Sequence, residues 1–133
     1  MGFNDETNLP IFKKAEEIGQ ITSVIISNID AEKDIFHIRE MMLTNGYMIG
    51  AKIAAAEGGG LYSLRMECAV LVKVAARELM VQTNVLKRDK LCPPEYIKLL
   101  RDEIDNFRLL FIDWVDSFDK NDDIKDDWGE LFR

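Results

Sequence analysis

The sequence predicts an all-α protein, an antiparallel up-down-up-down four-helix bundle. Three observations lead there. Four segments of about 20–27 residues carry apolar side chains at helical spacing. Asn28-Ile29-Asp30, Gly58-Gly59-Gly60 and Cys92-Pro93-Pro94 punctuate them as short connections. No segment alternates β-branched and polar residues as a half-buried strand would. The 133 residues hold one compact domain with a single core. We place the bundle at residues 1–119, with helices over 10–28, 31–57, 61–87 and 94–118, and an acidic tail at 120–133.

Helix 1 starts at Asn8 and Pro10, since proline suits a first helical turn. Ile11, Ala15, Ile18, Thr22, Ile25 and Ile29 follow spacings of four and three, and Phe12, Ile21 and Ile26 widen the face. Asp30 is positioned to cap helix 2, whose stripe is Ile35, Ile38, Met42, Ile49, Ile53 and Ala56, flanked by Met41, Tyr47 and Met48. Gly46 and Gly50 weaken this helix by roughly 1 kcal/mol each relative to alanine, which points to close helix approach. Gly58-Gly59-Gly60 reads as a tight turn between antiparallel helices; a phosphate loop needs a preceding strand and a following Lys-Ser/Thr, and both are missing.

Helix 3 carries two apolar stripes. Leu61, Leu64, Cys68, Leu71, Val72, Ala75, Leu79 and Leu86 form the first, assigned to the core. Met66, Val70, Val74, Val81 and Val85 lie over 100° further round at ~100° per residue. The second stripe either widens the core or meets another subunit. The subunit contact is favoured, because Lys73 and Arg77 alternate with the valines, and Arg77 joins that interface. Glu78 falls between the stripes and is expected to be a structural carboxylate, partly buried once an oligomer forms, with a cationic or backbone partner. Lys87, Arg88 and Lys90 close the helix, where cations complement the helix dipole. Helix 4 has the clearest period, through Tyr96, Leu99, Leu100, Ile104, Phe107, Leu110, Phe111, Trp114, Val115 and Phe118.

Charge limits the partners. The net charge is −7: residues 113–133 hold eight acids and three bases (−5), and residues 1–112 sixteen acids and fourteen bases (−2). Nucleic-acid affinity comes chiefly from cations on phosphates, so the chain lacks that global footprint, as it does for an anionic membrane. No apolar run approaches the ~18 residues of a membrane span. Residues 1–8 are polar, without the pattern of a signal peptide, and Glu6 breaks the myristoylation pattern. Cys68 and Cys92 read as reduced thiols, and a cytoplasmic location is expected. In the tail, Ile124, Trp128, Leu131 and Phe132 stand among acids. The plainer reading folds Trp128 and Phe132 back onto the bundle or a neighbouring subunit; the sharper one makes the tail a docking peptide for another protein, with these four as anchors.

Over roughly residues 9–118 the chain resembles a bacterial four-helix-bundle family that includes ribosomal-RNA intervening-sequence proteins and the accessory variability determinant of diversity-generating retroelements. Phe12-Lys13-Lys14-Ala15 looks like the aromatic-x-Lys-Ala opening of that family's first helix. Met48 to Ala54 sits where the family has Ser-Ile-Pro-x-Asn-Ile-Ala, although here the Ser, Pro and Asn are replaced. Glu78-Leu79 followed by Gln82-Thr83 resembles its Glu-Leu-x-Thr-Gln segment, and Leu91 to Leu110 is similar to its last loop and helix. The resemblance implies a homo-oligomer, commonly a pentameric ring, and no enzymatic activity. Its retroelement branch implies binding to a reverse transcriptase and nucleic acid, for which Lys87, Arg88 and Lys90 would be the contacts.

Catalytic and metal constellations are sparse. A di-iron bundle uses clustered glutamates with Glu-x-x-His repeats, whereas His37 is the single histidine and could join only Glu40 and Glu57. Glu16-Glu17 and Asp102-Glu103 match magnesium-holding acids by type alone and fall at the edges of apolar stripes. Cys68, on a core stripe, reads as packing. No cofactor or metal is expected. The sequence reading is a non-catalytic homo-oligomeric assembly or adaptor protein, with a nucleic-acid- or reverse-transcriptase-associated factor as the alternative.

Overall fold

A computed structural model describes residues 8–125, 127–129 and 131–132. Among them are four helices and no strand: α1 (Pro10–Ser27), α2 (Ile38–Gly59), α3 (Tyr62–Arg88) and α4 (Pro94–Asp116). Neighbours in sequence pack side by side, α4 closes the ring against α1, and the diagonal pairs do not meet. The polar contacts fix the directions. Asn45 of α2 bonds Gln82 of α3, while Glu57, near the end of α2, bonds Arg65, near the start of α3. Arg101 of α4 bonds Thr83 of α3, while Phe118, just past α4, stacks on Arg65. Successive helices therefore run antiparallel, as the sequence predicts.

The core takes one face from every helix. Ile11, Ile18 and Ile25 face Met42, Ile49 and Ile53, with Val72, Leu79 and Leu86 on α3 and Leu100, Ile104 and Phe107 on α4. Burial at these positions supplies the main folding force, about 1.5–3 kcal/mol for each large aliphatic side chain. Two polar devices are built into it. Thr22 is buried and donates its hydroxyl to the Ile18 carbonyl at 2.7 Å. The Asn45 amide donates to Gln82 Oε1 at 3.2 Å across the α2–α3 seam, so both buried amides are partnered. Gly46 and Gly50 of α2 face α1: a Cβ on Gly46 would lie 3.4 Å from the Thr22 methyl, and one on Gly50 3.9 Å from Ala15.

Three expectations change. Helix 2 begins at Ile38, not at residue 31. Residues 30–37 form a series of turns instead, with Lys33, Asp34 and His37 N–H groups donating to the carbonyls of Asp30, Ala31 and Asp34. Asp30 does not cap the helix; it accepts from the Glu32 N–H. The cap is Asp34, whose buried carboxylate accepts from the Ile38 and Arg39 N–H groups at 2.7 and 3.2 Å. His37, at φ 55°, is left-handed and cannot continue a helix backwards. Ile35, expected in the core, is 70% exposed in this loop.

The triple glycine is mostly helix. Gly58 and Gly59 complete α2, and Gly60 alone turns the chain, at φ 76°, where residues with a Cβ are strained. The third change concerns the α3 core face. Leu64 and Leu71 point outward, and the buried row is Ala69, Val72, Ala75, Ala76, Leu79, Gln82, Thr83 and Leu86. Leu64 and Leu71 stand roughly 80–100° round the helix from the fully buried Val72, on a flank that the neighbouring helices leave open. α3 ends at Arg88 and α4 at Asp116, although Phe118 remains buried just beyond α4.

Candidate interaction surface

The outer face of α3 is built from its helical period. Val81 stands nine residues from Val72, which at ~100° per residue is the opposite side of the helix. Val70 and Val74 fall within roughly 20° of that direction. All three are exposed, Val81 at 62%, while Met66 and Val85 at the margins are partly buried against the core. The second stripe is thus divided: Val70, Val74 and Val81 are displayed outward, while Met66 and Val85 widen the core at its margins. Leu64 and Leu71 extend it, a contribution the sequence reading assigned to the core. Arg77, Glu78 and Gln82 surround Val74 and Val81 in a shallow depression. Glu78 is exposed in the single chain. The buried carboxylate is Asp34, and Glu57 is half-buried. The sequence signal for both was weak, since a loop acid and a helix-end acid look like solvated residues.

A second feature lies beside the stripe, where α3 and α4 meet less extensively than any other adjacent pair. An open groove of about 400 Å³ runs between them. Ala76 and Met80 of α3, with Phe107, Phe111 and Ile112 of α4, make it apolar. Lys73, Arg77 and Arg108 stand at it with one acid, Asp105. Among the described residues, no carboxylate pairs with any of these three cations. The sequence offered no signal for this groove, because it is formed by two helices distant in sequence.

The end of the bundle is a closed polar and aromatic cluster. Glu57 Oε1 accepts from Arg65 Nη2 at 2.6 Å and from Trp114 Nε1 at 2.7 Å. The Arg65 guanidinium lies 4.0 Å over the Phe118 ring, which meets Trp114 edge-on at 4.8 Å. The tail begins here and turns onto the start of α3. The Asp122 carbonyl accepts from the Tyr62 N–H at 2.7 Å, and the Asp123 carboxylate accepts from the Ser63 hydroxyl at 2.6 Å and its N–H at 3.3 Å. These satisfy donors that Leu61, as N-cap, leaves without a side-chain partner. Phe132 and Ile124 share a cleft with Tyr62. Trp128 and Leu131 are exposed, Trp128 at 90%. Part of the tail therefore folds back, and its largest anchor faces outward.

The basic residues at the far end have a structural role that the sequence did not reveal. Lys90 is left-handed at φ 53°, its N–H donates to the Lys87 carbonyl, and the Leu91 N–H donates to the Leu86 carbonyl at 2.9 Å. That is a Schellman stop with buried Leu86 and Leu91 as its apolar contact. Arg88 is held by Asp89 at 2.9 Å and lies 5.5 Å over Phe36. Lys87 and Lys90 are exposed, so the three cations do not form one free patch.

The other candidate sets are placed as follows. His37 and Glu57 stand at opposite ends of α2, roughly 30 Å apart at 1.5 Å per residue, and share no site. Among the described residues no three of His, Cys, Asp and Glu gather as metal ligands. The acids of α1 and α4 do converge, but around an ammonium: Lys14 Nζ sits 2.8 Å from Glu17 and 2.7 Å from Glu103. Hydrogen bonding to Lys14 holds the Glu103 carboxyl below its ordinary value, and the same contact raises the Lys14 ammonium. Cys68 and Cys92 are free, partly buried thiols, and burial pushes both upward, away from the reactive thiolate. No described helix is long and apolar enough to cross a membrane. Comparison of the chain with family models, curated proteins and solved structures found no match in any of the three.

Proposed function

We propose that this protein is a non-catalytic, homo-oligomeric assembly or adaptor protein that associates through the outer face of α3. One observation carries the reading: Val70, Val74 and Val81 project from the side of α3 opposite its core. Valine is a weaker helix former than the residues that usually fill exposed helix positions. Three of them on one outward line suit burial against a second subunit, with Leu64 and Leu71 enlarging the same apolar surface. Glu78 then becomes partly buried at that contact, with Arg77 one residue away as a candidate partner from the neighbouring copy. The family resemblance supports a ring, with a pentamer as the specific form, in a bacterial cytoplasm.

The test is the mass of the particle by sedimentation equilibrium or light scattering. The wild-type chain is expected to be a multimer of 15.3 kDa units. Val74→Glu with Val81→Glu is expected to reduce it to the monomer mass while the helical signal is retained, because both positions are exposed in the single chain. A monomeric wild-type protein would refute the reading. The nucleic-acid alternative gains little support, since Arg88 is engaged by Asp89 and Lys90 terminates α3.

A further inference from the structure

We infer that the α3–α4 groove receives the acidic, aromatic C-terminal segment of a second copy of this chain. The inference rests on self-association as proposed above, but it uses a different surface and a different set of residues.

The groove pairs an apolar floor with excess positive charge. Ala76, Ile104 and Phe107 are its buried apolar residues, and Lys73, Arg77 and Arg108 outnumber the single acid Asp105. The chain as a whole has net charge −7, so three cations with no ion pair among the described residues, beside exposed apolar surface, run against its average. A volume of about 400 Å³ lies in the roughly 300–1,000 Å³ range of clefts that hold ligands of a few large groups. The occupant should therefore be an extended segment with negative charge and large apolar side chains.

The chain carries such a segment. From Asp122 to Glu130 there are five acids and one base, and Ile124, Trp128, Leu131 and Phe132 are its large apolar residues. Trp128 is 90% exposed, the most exposed large apolar residue described. Aromatic anchors of this kind dominate interface energetics once buried. The chain's own tail is held elsewhere. Asp122 and Asp123 tie it to Tyr62 and Ser63, and Phe132 turns back to the cleft beside Tyr62. Ser63 and Lys73 are ten residues apart on α3, about 15 Å along the helix. The arrangement keeps the tail at the end of its own bundle and turns Trp128 outward, on the side from which the groove of a second copy can receive it.

The experiment uses the full chain and a fluorescein-labelled synthetic peptide of residues 119–133, read by fluorescence anisotropy. Saturable binding is expected. Arg77→Glu with Arg108→Glu in the protein should weaken it by at least about tenfold, as loss of opposing charge at an interface does. Trp128→Ala in the peptide should do the same. Lys87→Glu, outside the groove, should leave binding within about twofold, the scale of a screened surface charge.

No saturable binding, either to the wild-type chain or to one whose own tail carries Trp128→Ala and Phe132→Ala, would overturn the inference. So would equal loss with Lys87→Glu, or equal binding of a scrambled peptide, since either means charge attraction alone. Binding only to a chain whose own tail carries Trp128→Ala and Phe132→Ala means that a resident tail already fills the groove; if the same holds in the monomeric Val74→Glu/Val81→Glu background, that tail is the chain's own, and the inference is overturned. The valine-stripe variant Val74→Glu/Val81→Glu separates the two proposals. If it is monomeric and still binds the peptide, both stand. If it is monomeric and neither the wild-type multimer nor its tail variant binds peptide, the groove inference fails alone. If the wild-type chain is monomeric yet binds the peptide with the expected losses, the valine-stripe proposal fails alone.

Discussion

Asp34 shows how much one side chain can decide. Burial by itself would raise its carboxyl, but the Ile38 and Arg39 N–H groups and the Arg39 guanidinium outweigh this and hold it below the usual value. Asp34→Ala leaves two helix-end donors without their acceptor and is expected to cost about 1–3 kcal/mol, measured by urea denaturation. The pH dependence follows with a definite sign. Asp34 and Glu103 both have folded values below their ordinary ones, 3.8 and 4.5. Their contribution is present above those ordinary values and is lost as pH falls through the lowered ones. Thermal melts between pH 6 and pH 2 should therefore show a midpoint that falls through and below pH 4.5, less steeply in Asp34→Asn. The Lys14 ammonium has the opposite sign: its contribution persists through neutral pH and is lost only above its ordinary value of 10.5.

The helices differ in how they begin and end. α1 and α4 start on Pro10 and Pro94, a pre-set first turn that is readable from sequence. α3 is started by the tail, so Asp123→Ala is expected to lower stability by about 1 kcal/mol, the usual scale of a lost cap, read as a reduced urea midpoint. α3 stops on Lys90 in a left-handed conformation, where glycine carries no steric cost. Lys90→Gly should accordingly raise stability, by up to about 1 kcal/mol. In α2, the close approach to α1 leaves room for a methyl group at Gly50, whose nearest neighbour would be 3.9 Å away. Gly50→Ala is expected to stabilise by about 0.5–1 kcal/mol through helix propensity. A loss at Gly50→Ala would mean that the α1–α2 spacing tolerates no added carbon.

For the whole molecule, the four contacts around the ring are unequal. α2 and α3 pack most extensively, joined by a connection of only Gly60 and Leu61 and by the buried Asn45–Gln82 pair. α3 and α4 pack least, which leaves the groove open beside Arg77. Arg77 borders both the groove and the depression over Val74 and Val81, so the two proposed surfaces adjoin on α3. A neighbour seated on the valine stripe would bring its charged and apolar groups close to the groove. Multivalent contact of that sort raises the effective concentration of a tethered segment.

The bundle, its antiparallel order and most of its core were legible in the residues themselves. Ile11 to Ile25, Met42 to Ala56 and Leu100 to Trp114 repeat at helical spacing, and local periodicity survives whatever the neighbours do. The outward valines were legible for the same reason, since their phase on α3 is a property of one helix. What only the three-dimensional structure decided were the turn geometry ahead of α2 and the contacts between distant segments. Asp34 rather than Asp30 caps α2 because its carboxylate reaches two N–H groups once His37 turns left-handed. Leu64 and Leu71 lie roughly 80–100° round α3 from the fully buried Val72, so whether that flank faced the core depended on where the neighbouring helices sit. The tail's cap on Ser63 and the Lys73–Arg77–Arg108 groove join positions more than 25 residues apart, and no local spacing encodes such meetings.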